Sequence, residues 1–170
     1  QRYFAKYNKQ KRTFEALTEL IQETADDIQY LESISNALDI ALNEADLAQI
    51  KEELMQSGYI RRKHTKKKVK LTSKPMHYIS SDGYDMYVGK NNLQNEELTF
   101  SFANGNDWWF HAKGAPGSHV IVKSGGDELP DRTFEEAGRL AAYYSKNRGA
   151  DKVEIDYIQK KHVKKPNGAK

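Results

Sequence analysis

The sequence predicts an α+β fold: a mostly antiparallel sheet with two packed helices, in the order β-β-α-β-β-α-β, preceded by a long helical coiled-coil arm. Three observations predict it. A seven-residue apolar period runs from Tyr3 to Leu42, no proline falls within residues 1–74, and short alternating runs replace the helical period after Pro75. The boundaries that follow are 1–57 for the helical arm, 58–75 for a basic linker and 76–170 for the α+β module.

The arm is read from two interleaved seam positions. One holds Tyr7, Phe14, Ile21, Ile28, Ser35 and Leu42; the other holds Tyr3, Gln10, Leu17, Thr24, Leu31 and Leu38. Nine of the twelve are apolar, which predicts a coiled-coil seam and therefore a partner, either an upstream antiparallel arm or a second copy. A helical hairpin folding back on its own module is the alternative. A second helix follows, with Asn43 as N-cap and Gly58 as its C-terminal stop. In the module, "HYIS" and "YDMYVG" are strands split by the turn Ser81-Asp82-Gly83, and "NNLQNEELTFSFA" has helical spacing. "DWWFHAK" and "SHVIVK" alternate, and Gly-Ala-Pro-Gly between them predicts a tight connection. The next helix follows Pro130, capped by Asp131 or Thr133, with acids in its first turn, cations in its last and Gly149 as its stop. "DKVEIDYIQKKHV" supplies the last strand.

Charge is segregated along the chain. Residues 1–12 carry five cations and no anions, residues 13–58 carry eleven anions against Lys51, and residues 59–70 carry seven cations. The last run, including Arg61, Arg62, Lys63, Lys66, Lys67 and Lys68, fits contact with nucleic acid, because clustered Lys and Arg neutralise phosphates and release counterions. The absence of Cys excludes disulfides and thiol catalysis and removes the common zinc ligand set. No apolar run is long enough to span a bilayer, so no membrane is expected; the composition is compatible with the cytosol. The opening "QRYFAKYNKQ" reads as a piece of a longer chain.

The stretch "NDWWFHAKGAPGSHVIVK" concentrates the chemistry. His111 and His119, with Asp107, form an imaginable metal site, but no third strong ligand has suitable spacing and Asp107 serves as a turn residue. No cofactor is expected. Ser118 and His119 are adjacent, and neighbours in a strand point to opposite faces, which opposes a nucleophile and base pair. Gly114 and Gly117 allow backbone N–H groups to approach an anion, with Lys113 and Lys123 nearby; a nucleic-acid phosphate suits this better than ATP. Trp108 and Phe110 share one strand face, the core face, while Trp109 and His111 share the other, which either stacks on bases or is buried.

Residues 76–170 resemble the NFACT-R domain of the NFACT family. The resemblance rests on Gly-Lys-Asn-Asn at 89–92, Asp-Trp-x-x-His at 107–111, Pro-Gly-Ser-His-Val at 116–120 and Lys-x-Val-Lys-Lys-Pro-x-Gly at 161–168. The family comprises bacterial ribosome-quality-control proteins, eukaryotic nuclear-export-mediator relatives and proteins named for fibronectin binding. The resemblance implies a cytoplasmic RNA-binding adaptor, not an enzyme. It implies the large ribosomal subunit and tRNA as partners, alanine tailing of stalled nascent chains as the process, and residues 1–57 as the end of a coiled-coil middle region whose partner arm lies upstream. At matched positions it implies Lys90, Asn91, Asn92, Trp109, His111, Lys113, Ser118 and His119, joined by Lys161, Lys164 and Lys165, as the RNA-facing surface. Lys would pair phosphates, Asn, Ser and His would hydrogen-bond, and Trp109 would stack. The other reading is a fibronectin-binding adhesin module, which would reach the cell surface without a signal sequence.

Overall fold

The computed structural model describes residues 2–61 and 72–165. The predicted linker cations Arg62, Lys63, Lys66, Lys67 and Lys68 lie outside the described residues; Arg61 is exposed. The chain forms two compact units, residues 1–32 and residues 33–170.

In the first unit, helix α1 (Arg2–Ile40) carries the predicted seam, and Tyr3, Tyr7, Phe14, Leu17, Ile21 and Ile28 are all exposed. No described helix is long and apolar enough to cross a membrane. The second unit begins within α1, so residues 33–57 fold with the sheet module. Here the seam ends. Ile34, Asn36, Ala37 and Ile40 are buried, whereas Ser35 and Leu38 are exposed and Leu42 lies past the helix. The buried stripe is displaced around the helix because it meets the sheet module: Asn36 Nδ2 donates to the Tyr144 carbonyl at 3.3 Å.

Helix α2 (Glu44–Gln56) starts where Asn43 is expected to cap it, with Asn43 Oδ1 accepting from the Ala45 and Asp46 N–H groups. Gly58 ends it at φ +83°, a left-handed conformation that suits glycine.

The sheet has the order β1-β2-β4-β3-β5, and all four pairings are antiparallel. The strands are β1 (Met76–Ile79), β2 (Asp85–Val88), β3 (Trp108–Ala112), β4 (Val120–Val122) and β5 (Ile155–Gln159). Between β2 and β3 come helix α3 (Asn92–Glu97) and a π-helical turn, Leu98–Phe102. Helix α4 (Asp131–Tyr143) packs on one sheet face against Met86, Val88, Phe110, Val120 and Val122 through Ala137 and Ala141. Trp108 and Phe110 belong to this face, as strand alternation requires, and both meet the Phe134 ring edge-on.

Three local expectations are corrected. Helix α4 has Pro130 at its N-cap position and no side-chain cap; Thr133 is buried, and instead donates its hydroxyl to Asp82 Oδ2 at 2.6 Å and lies 3.0 Å from Ser80 Oγ. Its last turn holds no cation and it ends at Tyr143, well before Gly149, because the Tyr144 carbonyl is taken by the Ser118 N–H and by Asn36. The β3–β4 connection is not tight. Pairing of Phe110 with Val120 leaves a loop whose Gly117 bridges to Ser145, and whose Pro116 carbonyl accepts from the Lys146 N–H.

Candidate nucleic-acid interface

The second sheet face is built by pairing. His77 lies opposite Tyr87, Tyr87 opposite Ile121, Ile121 opposite Trp109, and Trp109 opposite Ile158, so all five share one side. The π-helical turn crosses the middle of this face, where Leu98 and Ala103 cover Ile121 and pack against Tyr87 and Trp109. It divides the face into a wing on β3 and β5 and a wing on β1 and β2.

The β3 wing brings together three of the predicted residues. Trp109 stacks on His111 with centroids 5.7 Å apart, and His119 meets Trp109 and His111 edge-on at 5.1 and 5.3 Å. All three are half-buried. Burial pushes the His119 imidazole down to about 3, helped by the nearby His111 and opposed by its Asn95 bond. Burial also lowers His111, against the pull of Asp156 and a hydrogen bond with Gly117. Both rings are therefore neutral at physiological pH and neutralise no phosphate. His119 Nδ1 lies 2.7 Å from Thr99 Oγ1, while Ser118 Oγ is buried with no hydrogen-bond partner among the described residues, so the two neighbours do not pair. Asp107 sits at the opposite end of β3, where it accepts from the Asn104 N–H and from Lys123 Nζ at 2.5 Å. Among the described residues no group of three or more His, Cys, Asp or Glu is placed to hold a metal.

The structure corrects the exposure of Lys90, Asn91 and Ser118, which are 6, 3 and 1% exposed. The Gly-Lys-Asn-Asn segment is a bracket that fastens the helices to the sheet. Lys90 Nζ lies 2.5 Å from Asp46 Oδ1, and Asp46 also accepts from Ser73 Oγ and the Leu42 N–H. Asn91 caps α3 through the Gln94 N–H and donates to Gln49. Asn92, half-buried, donates to Ser33 Oγ and Glu53 Oε1, and Gln94 donates to Gln49 and Ser73. These amides and the ammonium point inward because their partners lie on α1 and α2, which no local pattern announces. Gly89 is required at the bracket's root. A Cβ there would lie 2.2 Å from Asn95 Oδ1, the atom that accepts from the His119 N–H, while Asn95 Nδ2 donates to the Gly117 carbonyl. Gly89→Ala should lower stability by about 1–3 kcal/mol, the cost of stranding such bonds, and a urea titration checks it.

Of the expected phosphate cradle around Gly114 and Gly117, Lys123 is engaged by Asp107, and the N–H groups that follow Gly117 turn inward. The Ser118 and His119 N–H groups point at Tyr144 O and Asn95 Oδ1. Exposed cations remain outside, with the exposed acids Glu154 and Asp156 among them. Lys161 and Lys164 are exposed, Lys113 is exposed and 3.3 Å from Glu154, and Lys165 pairs with Glu96 of α3. The Lys161 N–H donates to the Gly105 carbonyl, so the segment 160–165 runs from the loop before β3 towards α3, beside the second face.

Sequence reasoning missed the β1–β2 wing. His77 stacks on Tyr87 at 4.7 Å and 16°, Tyr87 meets Phe102 edge-on at 4.7 Å, and Lys123 Nζ lies 4.9 Å above the Phe102 ring. His77 and Tyr87 stand at alternate positions in short strands, and that period is the signal from which the wing could have been found.

Residues 74–169 match the family model for the NFACT protein RNA binding domain, and residues 1–73 match that for the NFACT N-terminal and middle domains. Over 171 residues the chain is 46% identical to the "Rqc2 homolog RqcH" of Streptococcus pneumoniae serotype 2 (strain D39 / NCTC 7466), covering all of this chain and 30% of that protein. It is 40% identical over 175 residues to the protein of the same name from Bacillus subtilis (strain 168), again covering all of this chain and 30% of the relative. The chain thus spans about 30% of the length of these relatives. A solved structure of the C-terminal part of the fibronectin/fibrinogen-binding protein from Streptococcus suis superposes with a TM-score of 0.89 at 44% identity, over 99% of this chain and 67% of that one. With a fold that agrees and family matches that together run the length of the chain, this protein belongs to the NFACT family, and residues 74–169 are its RNA-binding domain.

Proposed function

We propose that this chain is the RNA-contacting part of a cytoplasmic ribosome quality-control factor, that it binds tRNA and large-subunit RNA, and that it supports C-terminal alanine tailing of stalled nascent chains without an active site of its own. The observation that carries this reading is the exposed cationic segment with Lys161 and Lys164, laid beside the aromatic sheet face of a domain whose family is described by RNA binding. Exposed ammonium groups supply sequence-independent attraction to phosphate, and the sheet supplies apolar surface for bases. The neutral His111 and His119 would position Trp109 and make no ionic contact.

The test is a salt titration of tRNA and large-subunit rRNA binding. The double change Lys161→Ala/Lys164→Ala should weaken binding and reduce the slope of log affinity against log salt by about two, because each phosphate neutralised by a lysine contributes about one unit. His111→Gln should leave that slope unchanged. An unaltered slope in the lysine variant would sink the placement of the phosphate contacts. The name of the streptococcal structure supplies a second reading, binding of an extracellular matrix protein. Saturable fibronectin binding at physiological salt, without RNA binding, would favour it.

A further inference from the structure

We propose that the β1–β2 wing is a second RNA subsite, a stacking shelf that takes an unpaired nucleobase on the outer face of His77; the proposal rests on the RNA-binding reading above. The shelf is preformed. Tyr87 covers one face of the imidazole in a near-parallel stack, yet the His77 side chain remains 47% exposed. Its accessible surface therefore lies on the opposite face and the ring edge. The ring is held from turning by Asp85, whose Oδ1 lies 2.6 Å from His77 Nε2. Tyr87 is braced in turn by Phe102, and Phe102 by the Lys123 ammonium. Ile79, 66% exposed on the same side of the same strand, extends the apolar floor beside the shelf.

The occupant follows from shape and charge. A flat ring with one open face and fixed orientation matches the π-face of a base, and base–aromatic stacking is tolerant of sequence. A paired base within a duplex has both faces occupied, so an unpaired base in a loop or single strand is the ligand. β1 is a sheet edge, which leaves room for a strand of RNA to pass alongside it. Lys74, three residues before His77 in the chain, is exposed and adds positive charge ahead of β1. The shelf lies across the π-helical turn from the Trp109 wing, so the two wings would hold separate nucleotides.

A single-stranded RNA oligonucleotide carrying 2-aminopurine, and the same probe annealed to its complement, provide the measurement. The wild-type chain should quench the unpaired probe on binding and prefer it to the duplex. His77→Ala should lose most of the quenching and bind the single strand about tenfold more weakly. His77→Phe keeps a ring without the Asp85 bond and should restore both. Because His77 is on an exposed edge, an unchanged urea midpoint confirms that the Ala variant is folded. Equal affinity and quenching in His77→Ala and wild type would overturn the shelf while leaving RNA binding intact. A wild-type chain that binds neither probe nor tRNA would overturn the RNA-binding reading, and the shelf with it.

Discussion

Lys90→Met should lower the unfolding free energy of the chain by about 3–5 kcal/mol, among the largest effects expected of any single polar substitution here. The reason is the carboxylate left behind. Asp46 is fully buried, and Lys90 is the cation 2.5 Å from it. Burial raises the Asp46 pKa, but the bonds from Lys90, Ser73 and the Leu42 N–H more than offset this and hold it below the usual carboxylate range. Asp46 therefore contributes stability above the unfolded carboxylate pKa of about 3.9, and that contribution is lost as pH falls through its lower folded value. Without the ammonium, burial dominates, the pKa rises, and the loss moves to higher pH. Replacing both partners with apolar residues of similar volume should recover much of the deficit, since no charge then stays buried. Urea unfolding followed by the fluorescence of Trp108 and Trp109, between pH 3 and pH 7, tests each step. A Lys90→Met variant within about 1 kcal/mol of wild type would show that the pair is not buried as described.

Acid sensitivity of a different origin is expected from His119. Its folded pKa of about 3 lies far below the ordinary imidazole value of 6.5. Between those values the unfolded chain binds a proton that the folded chain refuses, so stability falls as pH drops, by about 1.4 kcal/mol per pH unit. The stabilisation is fully present above about pH 6.5, and its loss is complete near the folded value. His111, also lowered by burial, adds to the same trend. Carboxylates contribute to any acid profile, so the informative quantity is the difference between wild type and His119→Gln. The variant should have a shallower stability slope between pH 6.5 and pH 4. Parallel slopes would mean that the imidazole is open to water and charges freely.

Much of the fold was legible because it is written locally. Period-two runs marked the five strands, Asn43 and Gly58 bracketed α2, and alternation assigned Trp108 and Phe110 to the core face before any partner was known. The pairing of β4 between β2 and β3 was not legible, since no residue pattern specifies which strand lies beside which. The candidate site was less readable than the fold. Lys90, Asn91 and Asn92 were expected on the RNA-facing surface from the family motif alone, and a motif does not show the partners that bury them, which sit roughly forty to sixty residues away in sequence, on α1 and α2. Trp109 and His111 share one face, as alternation requires, but the burial that lowers the His111 pKa arises where distant segments meet: the Trp109 and His119 rings flank it and Gly117 bonds to it. The tail cations Lys161 and Lys164 remained exposed because no acidic partner reaches them among the described hydrogen bonds and ion pairs.

The bracket at Lys90 has a geometric consequence. Apolar surfaces tolerate sliding, because a displaced methyl group finds another methyl group. Hydrogen bonds do not, since their strength falls steeply once distance and angle depart from the optimum. A slip of α2 by a single residue would move it about 1.5 Å along its axis and turn it by roughly a quarter revolution. Asp46, Gln49 and Glu53 would then all miss Lys90, Gln94, Asn91 and Asn92 together. The polar bracket thus works as an index pin, admitting one rotational setting of the helix against the sheet and rejecting its neighbours.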